Sequence, residues 1–127
     1  MVANLAVALL IASQVIIPMK SKADNDLKQI TLGYHSHVDA TGKAPEKADD
    51  ISPFIEKNER LLGLLKSGEY VFLFGVKPVQ MTAGTSNTVL AYEKTVPTNG
   101  GYVAYGDGSV KKLTADDFKK ATLAKKN

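Results

Sequence analysis

The sequence predicts an α+β fold on three observations. An apolar run at the start leads into residues at helical spacing, the period changes to aromatic and β-branched stretches separated by turn residues from Glu69 onward, and a capped helical segment follows Thr114. In chain order this gives helix, helix, three or four antiparallel strands, helix. With 127 residues, 44% of them hydrophobic and 23% charged, the chain fits one ordinary globular domain.

The first element is the most apolar. Between Val2 and Ile17 the only polar side chains are Asn4, Ser13 and Gln14, and no side chain before Pro18 is charged. As a helix this run of roughly 16 residues spans about 24 Å, short of the roughly 30 Å hydrocarbon core of a bilayer. Three readings follow: a secretory signal peptide, a retained membrane anchor, or a helix buried against copies of itself. Leu5 to Ile17 has the length of a signal-peptide core, and Ser21-Lys22-Ala23 supplies the small residues of a cleavage site after Ala23, although no lysine or arginine precedes the run. Retention is favoured by Leu27, Ile30, Tyr34 and Val38, which continue an apolar stripe at intervals of three and four. The expectation is a long helix over residues 1–38, kinked near Pro18, anchored or assembled through Leu5, Leu9, Leu10, Ile16 and Ile17. Two helices joined by a loop at Pro18 to Asp24 fit the spacing equally.

Residues 39–127 form the expected head. Asp39 to Asp50, with Gly42 and Pro45, reads as a loop. Ser52 as N-cap with Pro53 at the first helical position opens a second helix carrying Leu61, Leu62 and Leu65 and closing at Gly68, or else Asn58 starts a fresh helix after one short turn. Tyr70 to Val76, Thr88 to Tyr92 and Tyr102 to Tyr105 read as strands, with turns at Gly84 to Asn87 and Pro97 to Gly101. Asp107 and Gly108 predict a two-residue hairpin turn, which sets Tyr105 opposite Val110 and Val103 opposite Lys112, with Tyr102 and Leu113 sharing a face. Thr114 and Asp117 form a capping box with Leu113 and Phe118 as hydrophobic staple, and Lys119, Lys120, Lys125 and Lys126 fall toward the C-terminal end of that helix.

Little in the sequence points to chemistry. A net charge of +3 with lysines scattered among acids argues against nucleic acid. Without cysteine there is no disulfide framework and no thiol nucleophile. His35 and His37, the only histidines, point to nearly opposite sides of a helix, so no metal site is expected. Gly63 to Gly68 has the glycine spacing of a phosphate loop but carries Glu69 where lysine is required, Gly106-Asp107-Gly108 is a turn signal, and Asp24-Asn25-Asp26 lacks the rest of an EF-hand loop. No Gly-x-Ser-x-Gly elbow occurs, and Asp49-Asp50 and Asp116-Asp117 are explained by solvation and capping. The expectation is a non-enzymatic chain with no cofactor.

Two stretches carry a family resemblance. Asn25-Asp26-Leu27-Lys28-Gln29-Ile30 followed by Gly33-Tyr34-His35, and then Thr88 to Lys94, Gly100-Gly101, Tyr105 to Val110 and Thr114 to Phe118, resemble the pilin-like proteins abundant in planctomycetes. Pro97 stands where many members have a histidine ten residues before the turn aspartate, and Asn4 and Leu5 stand where processed pilins have glutamate. The resemblance implies a long N-terminal helix packed on a small antiparallel sheet, in an extracytoplasmic structural or surface subunit, membrane-anchored or self-assembling. Its implied partners are a membrane, copies of itself, or other secretion or pilus-like subunits. The competing expectation is a soluble exported binding module released by cleavage after Ala23.

Overall fold

A computed structural model describes the backbone of residues 2–126 and the side chains of residues 22–126. The first helix, α1, runs over Val2–Thr41 and passes Pro18 without interruption, so residues 18–24 are helical and do not form a connecting loop. One proline removes one backbone donor, and the residues after it, Met19 to Ala23, include no glycine and favour helix. The helix also outlasts its expected end near Val38. Gly42 turns the chain, its N–H donating to the Val38 carbonyl at 2.7 Å, so the loop expected from Asp39 begins only there.

The second helical region is divided. Helix α2 (Ala48–Ile51) precedes the expected Ser52 start and passes into a 3-10 turn over Ser52–Ile55. Glu56 and Lys57 then adopt left-handed backbone, with φ of 58° and 54°, which ends any helix. Helix α3 (Glu59–Ser67) starts afresh from Asn58, whose Oδ1 accepts from the Leu61 N–H at 3.0 Å, and Gly68 closes it. Of the two starts the sequence allowed, Asn58 is the one used.

Strands β1 (Tyr70–Phe72), β2 (Thr88–Glu93), β3 (Gly101–Tyr105) and β4 (Val110–Leu113) pair antiparallel in that order. A short helical turn, α4 (Val96–Asn99), joins β2 to β3, and helix α5 (Ala115–Lys120) leads from β4 to a two-residue strand, β5 (Thr122–Leu123). β5 pairs parallel with Thr88 and Val89. β1 takes the other end of the same β2 edge, at Ala91 to Glu93. The first strand is shorter than the expected Tyr70 to Val76, because Gly75, in left-handed backbone, donates to the Pro45 carbonyl instead of extending the ladder.

A β-bulge between Val89 and Ala91 sets which side chains face which layer. Pairing resumes at Ala91–Ala104, so Leu90 and Ala91 both join the core under α1, while Val89 and Tyr92 belong to the opposite cluster. Ala23, Leu27, Ile30 and Tyr34 of α1 close the larger core with Leu61, Leu65, Phe72 and Ala104. Val89, Val96, Val103 and Phe118 make the smaller one under α4 and α5. The sheet is thus covered on both faces, and the fold is α+β.

Two hairpin details differ from expectation. Val103 pairs with Lys111 and Ala104 with Val110, one residue away from the predicted register, because Gly106 joins Asp107 and Gly108 in a three-residue loop closed by the Tyr105 N–H donating to the Ser109 carbonyl at 2.8 Å. Tyr102 consequently faces the α1 core while Leu113, paired with Gly101, packs in the cluster beneath α5. Helix α5 ends at Lys120, leaving Lys125 and Lys126 beyond it. Its Thr114 cap holds, with Oγ1 accepting from the Asp117 N–H at 3.1 Å.

Candidate functional site

The predicted anchor residues Leu5, Leu9, Leu10, Ile16 and Ile17 belong to α1, and their side chains lie outside the described residues. Among the described residues no helix is long and apolar enough to cross a membrane. What the structure does define is the seam where α1 joins the head.

At the start of that seam Asp26 sits on the same helical face as Leu27 and Ile30 and is 3% exposed. Its carboxylate is held by three donors. Arg60 of α3 gives both guanidinium arms, Nη1 to Oδ2 at 3.0 Å and Nη2 to Oδ1 at 2.6 Å, and the Tyr70 hydroxyl of β1 donates to Oδ2 at 2.7 Å. Forked geometry of this kind is specific to arginine. Asp26 in turn raises the Arg60 pKa, and burial, reinforced by the bond to Asp26, pushes the Tyr70 phenol well above its usual value.

One helical register further on, Tyr34 is fully buried and its hydroxyl donates to the Val76 carbonyl at 2.5 Å; burial again raises the phenol. Next to it, His35 Nε2–H donates to the Gly106 carbonyl at 2.6 Å and so ties α1 to the hairpin loop. His37 turns away toward the loop after α1, with Nδ1–H donating to the Lys43 carbonyl at 3.0 Å and its ring edge-on to Phe54. Carbonyl acceptors can only receive, so each of these nitrogens carries a proton. The two histidines diverge as their spacing predicts. Among the described residues no group of three or more His, Cys, Asp or Glu could hold a metal ion.

The predicted turn residues Asp107 and Gly108 lie at the tip of the hairpin. Asp107 Oδ1 accepts from the Ser109 hydroxyl at 2.7 Å and its N–H at 3.0 Å, which lowers the carboxyl pKa. Gly108 has φ of 92°, left-handed backbone that a side chain would strain. These residues shape the loop that receives His35, a link that spacing alone did not indicate.

On the outer side of α1 a groove of about 410 Å³ runs between the helix and the 3-10 turn, lined by Gln29, Leu32, Phe54, Ile55, Glu56 and Asn58. Gly33 allows this approach, since a Cβ there would stand 2.7 Å from Ile55 Cγ2 and 3.0 Å from Ile51 Cγ2.

The Asp26–Arg60–Tyr70 link and the groove both escaped the sequence reading. A signal for the first was present: Asp26 occupies the buried stripe four residues before Ile30, and Arg60 is the one arginine among sixteen basic residues. Nothing comparable marked the groove, which depends on two elements separated by a loop. No family model, no curated protein and no solved structure matches the chain.

Proposed function

We propose that the chain is a non-enzymatic, extracytoplasmic structural subunit of the pilin-like or pseudopilin-like kind, in which the apolar first half of α1 serves as anchor or assembly spine for the head. The observation that carries this reading is continuity. A single helix holds the uncharged stretch up to Ile17 and, from Ala23 to Tyr34, the stripe that closes the head's core.

The seam supports it further. Asp26, Tyr34 and His35 each bond to a different part of the head, which makes the second half of α1 a rigid mount through which force or position is transmitted. Cleavage after Ala23 would also remove a residue that is itself helical and buried in the core.

The test is to isolate the protein from its native host, extract the membranes with carbonate, and determine the intact mass and N-terminus. Retention of the apolar run in the membrane pellet is the expected outcome. A mature chain beginning at Asp24 in the soluble fraction overturns the proposal in favour of an exported binding module.

A further inference from the structure

Asn99 is the one asparagine that precedes a glycine; Asn4, Asn25, Asn58 and Asn87 precede Leu5, Asp26, Glu59 and Thr88. It is exposed, at the last position of the turn α4, and it lines a cleft of about 610 Å³ with Glu93, Tyr102, Lys112 and Leu113. An asparagine side-chain amide is an electrophile within reach of the next residue's backbone nitrogen, and glycine has no Cβ to block that approach. Asp107-Gly108 has the same glycine, but Ser109 holds the Asp107 carboxyl in its ionised form, and a carboxylate resists attack.

Two backbone bonds restrain Asn99. Its N–H donates to the Thr95 carbonyl at 2.8 Å, and the Gly100 N–H, on the nitrogen that has to attack, donates to the Val96 carbonyl at 3.0 Å. These are the last bonds of a four-residue helix whose Thr95 cap makes no side-chain bond, so they open by local fraying while the sheet stays folded.

We propose that Asn99-Gly100 is a self-modifying site, gated by fraying of α4, at which the cleft acquires a new carboxylate. The Gly100 nitrogen gives its proton to solvent and bonds to Asn99 Cγ, the Cγ–Nδ2 bond breaks, and ammonia leaves behind a cyclic imide. Water then opens the imide. Cleavage of the new Cγ–N bond leaves aspartate, and cleavage of the backbone C–N bond leaves isoaspartate, with the chain rerouted through Cβ and Cγ.

The fold distinguishes the two products. Gly100 and Gly101 are tightly packed, since a Cβ on Gly100 would stand 2.8 Å from the Leu113 carbonyl oxygen and one on Gly101 2.5 Å from Glu93 Oε2. Isoaspartate lengthens the backbone just ahead of this fit. It therefore loosens the end of the sheet where Gly101 pairs with Leu113 and the Tyr102 N–H donates to Glu93 Oε2 at 2.7 Å. Aspartate keeps the backbone and adds a charge to a cleft whose charged lining residues are Glu93 and Lys112. This chemistry belongs to the head's own backbone and runs whether or not the chain is anchored.

The full-length protein in detergent is held in warm, mildly alkaline buffer beside a urea-unfolded sample that sets the timescale. Peptide mapping locates the conversion, and isoaspartate methyltransferase labelling separates the products. In the folded protein conversion is expected at Asn99 and at no other asparagine, about tenfold slower than in urea. Pro97→Gly frees the torsion that pre-sets the turn and should raise the folded rate about threefold, while Asn99→Gln should stop it. The isoaspartate form should unfold at lower urea than the parent, and Asn99→Asp should keep the parent's midpoint. No conversion at Asn99 in the folded protein, equal rates folded and unfolded, conversion spread evenly over the asparagines, no acceleration by Pro97→Gly, or an isoaspartate form as stable as Asn99→Asp each overturn the proposal.

Discussion

The Asp26 carboxylate shows how a charge is kept inside the seam. Desolvating a carboxylate costs several kcal/mol, and three donors, one pair of them charged, offset it. The two partners are not equivalent, because the Arg60 side chain remains 47% exposed. Removing Arg60 strands a buried negative charge with only Tyr70, whereas neutralising Asp26 returns Arg60 to water. Arg60→Ala should therefore destabilise by about 3 kcal/mol and Asp26→Asn by only about 1.5 kcal/mol, read from urea midpoints. The reverse order would show that the link contributes through packing and not through charge.

At the level of elements, close approach of the 3-10 turn to α1 depends on Gly33. Valine there gains some helix propensity but places its Cβ inside contact distance of two stiff isoleucine methyls, so overpacking outweighs propensity and the expected loss is about 2 kcal/mol. Gly63 in α3 is the control. A Cβ there meets nothing within 4 Å, and Gly63→Ala should stabilise by about 0.7 kcal/mol on the same urea curves. The elements themselves were largely legible. Helical spacing located the packed stripe of α1, and side-chain caps marked Asn58 and Thr114, because these signals are local. Register and phase were not. The hairpin slipped by one because Gly106 entered the loop, the bulge at Leu90 is invisible to a period-two pattern, and β5 is two residues stabilised only by a distant strand. The groove was hidden for the same reason, since Glu56 and Lys57 bend the chain there by a backbone geometry that their side chains do not announce.

For the whole molecule, the buried phenols set an alkaline limit. Tyr34 and Tyr70 have raised pKa values in the fold, chiefly from burial, while in the unfolded chain they ionise near pH 10. Above about pH 10 the unfolded state therefore releases protons that the folded state keeps, so stability is full below that pH and falls as pH rises past it. Urea midpoints should decline from about pH 10 upward, and Tyr34→Phe, though less stable at neutral pH, should show a shallower decline. An equal slope in the variant would place the loss elsewhere.

The tail beyond α5 ties the far end of the described chain into the sheet. Ala124 donates its N–H to the Val89 carbonyl, Lys126 reaches Glu46 at 3.0 Å, and β5 occupies the edge of β2 that β1 leaves open. The central strand of the sheet is therefore incomplete until residues 122–126 have emerged from the ribosome, long after the apolar start of α1. Until then the Thr88–Val89 edge of β2 stays unpaired, an open strand edge of the kind that invites pairing with another chain.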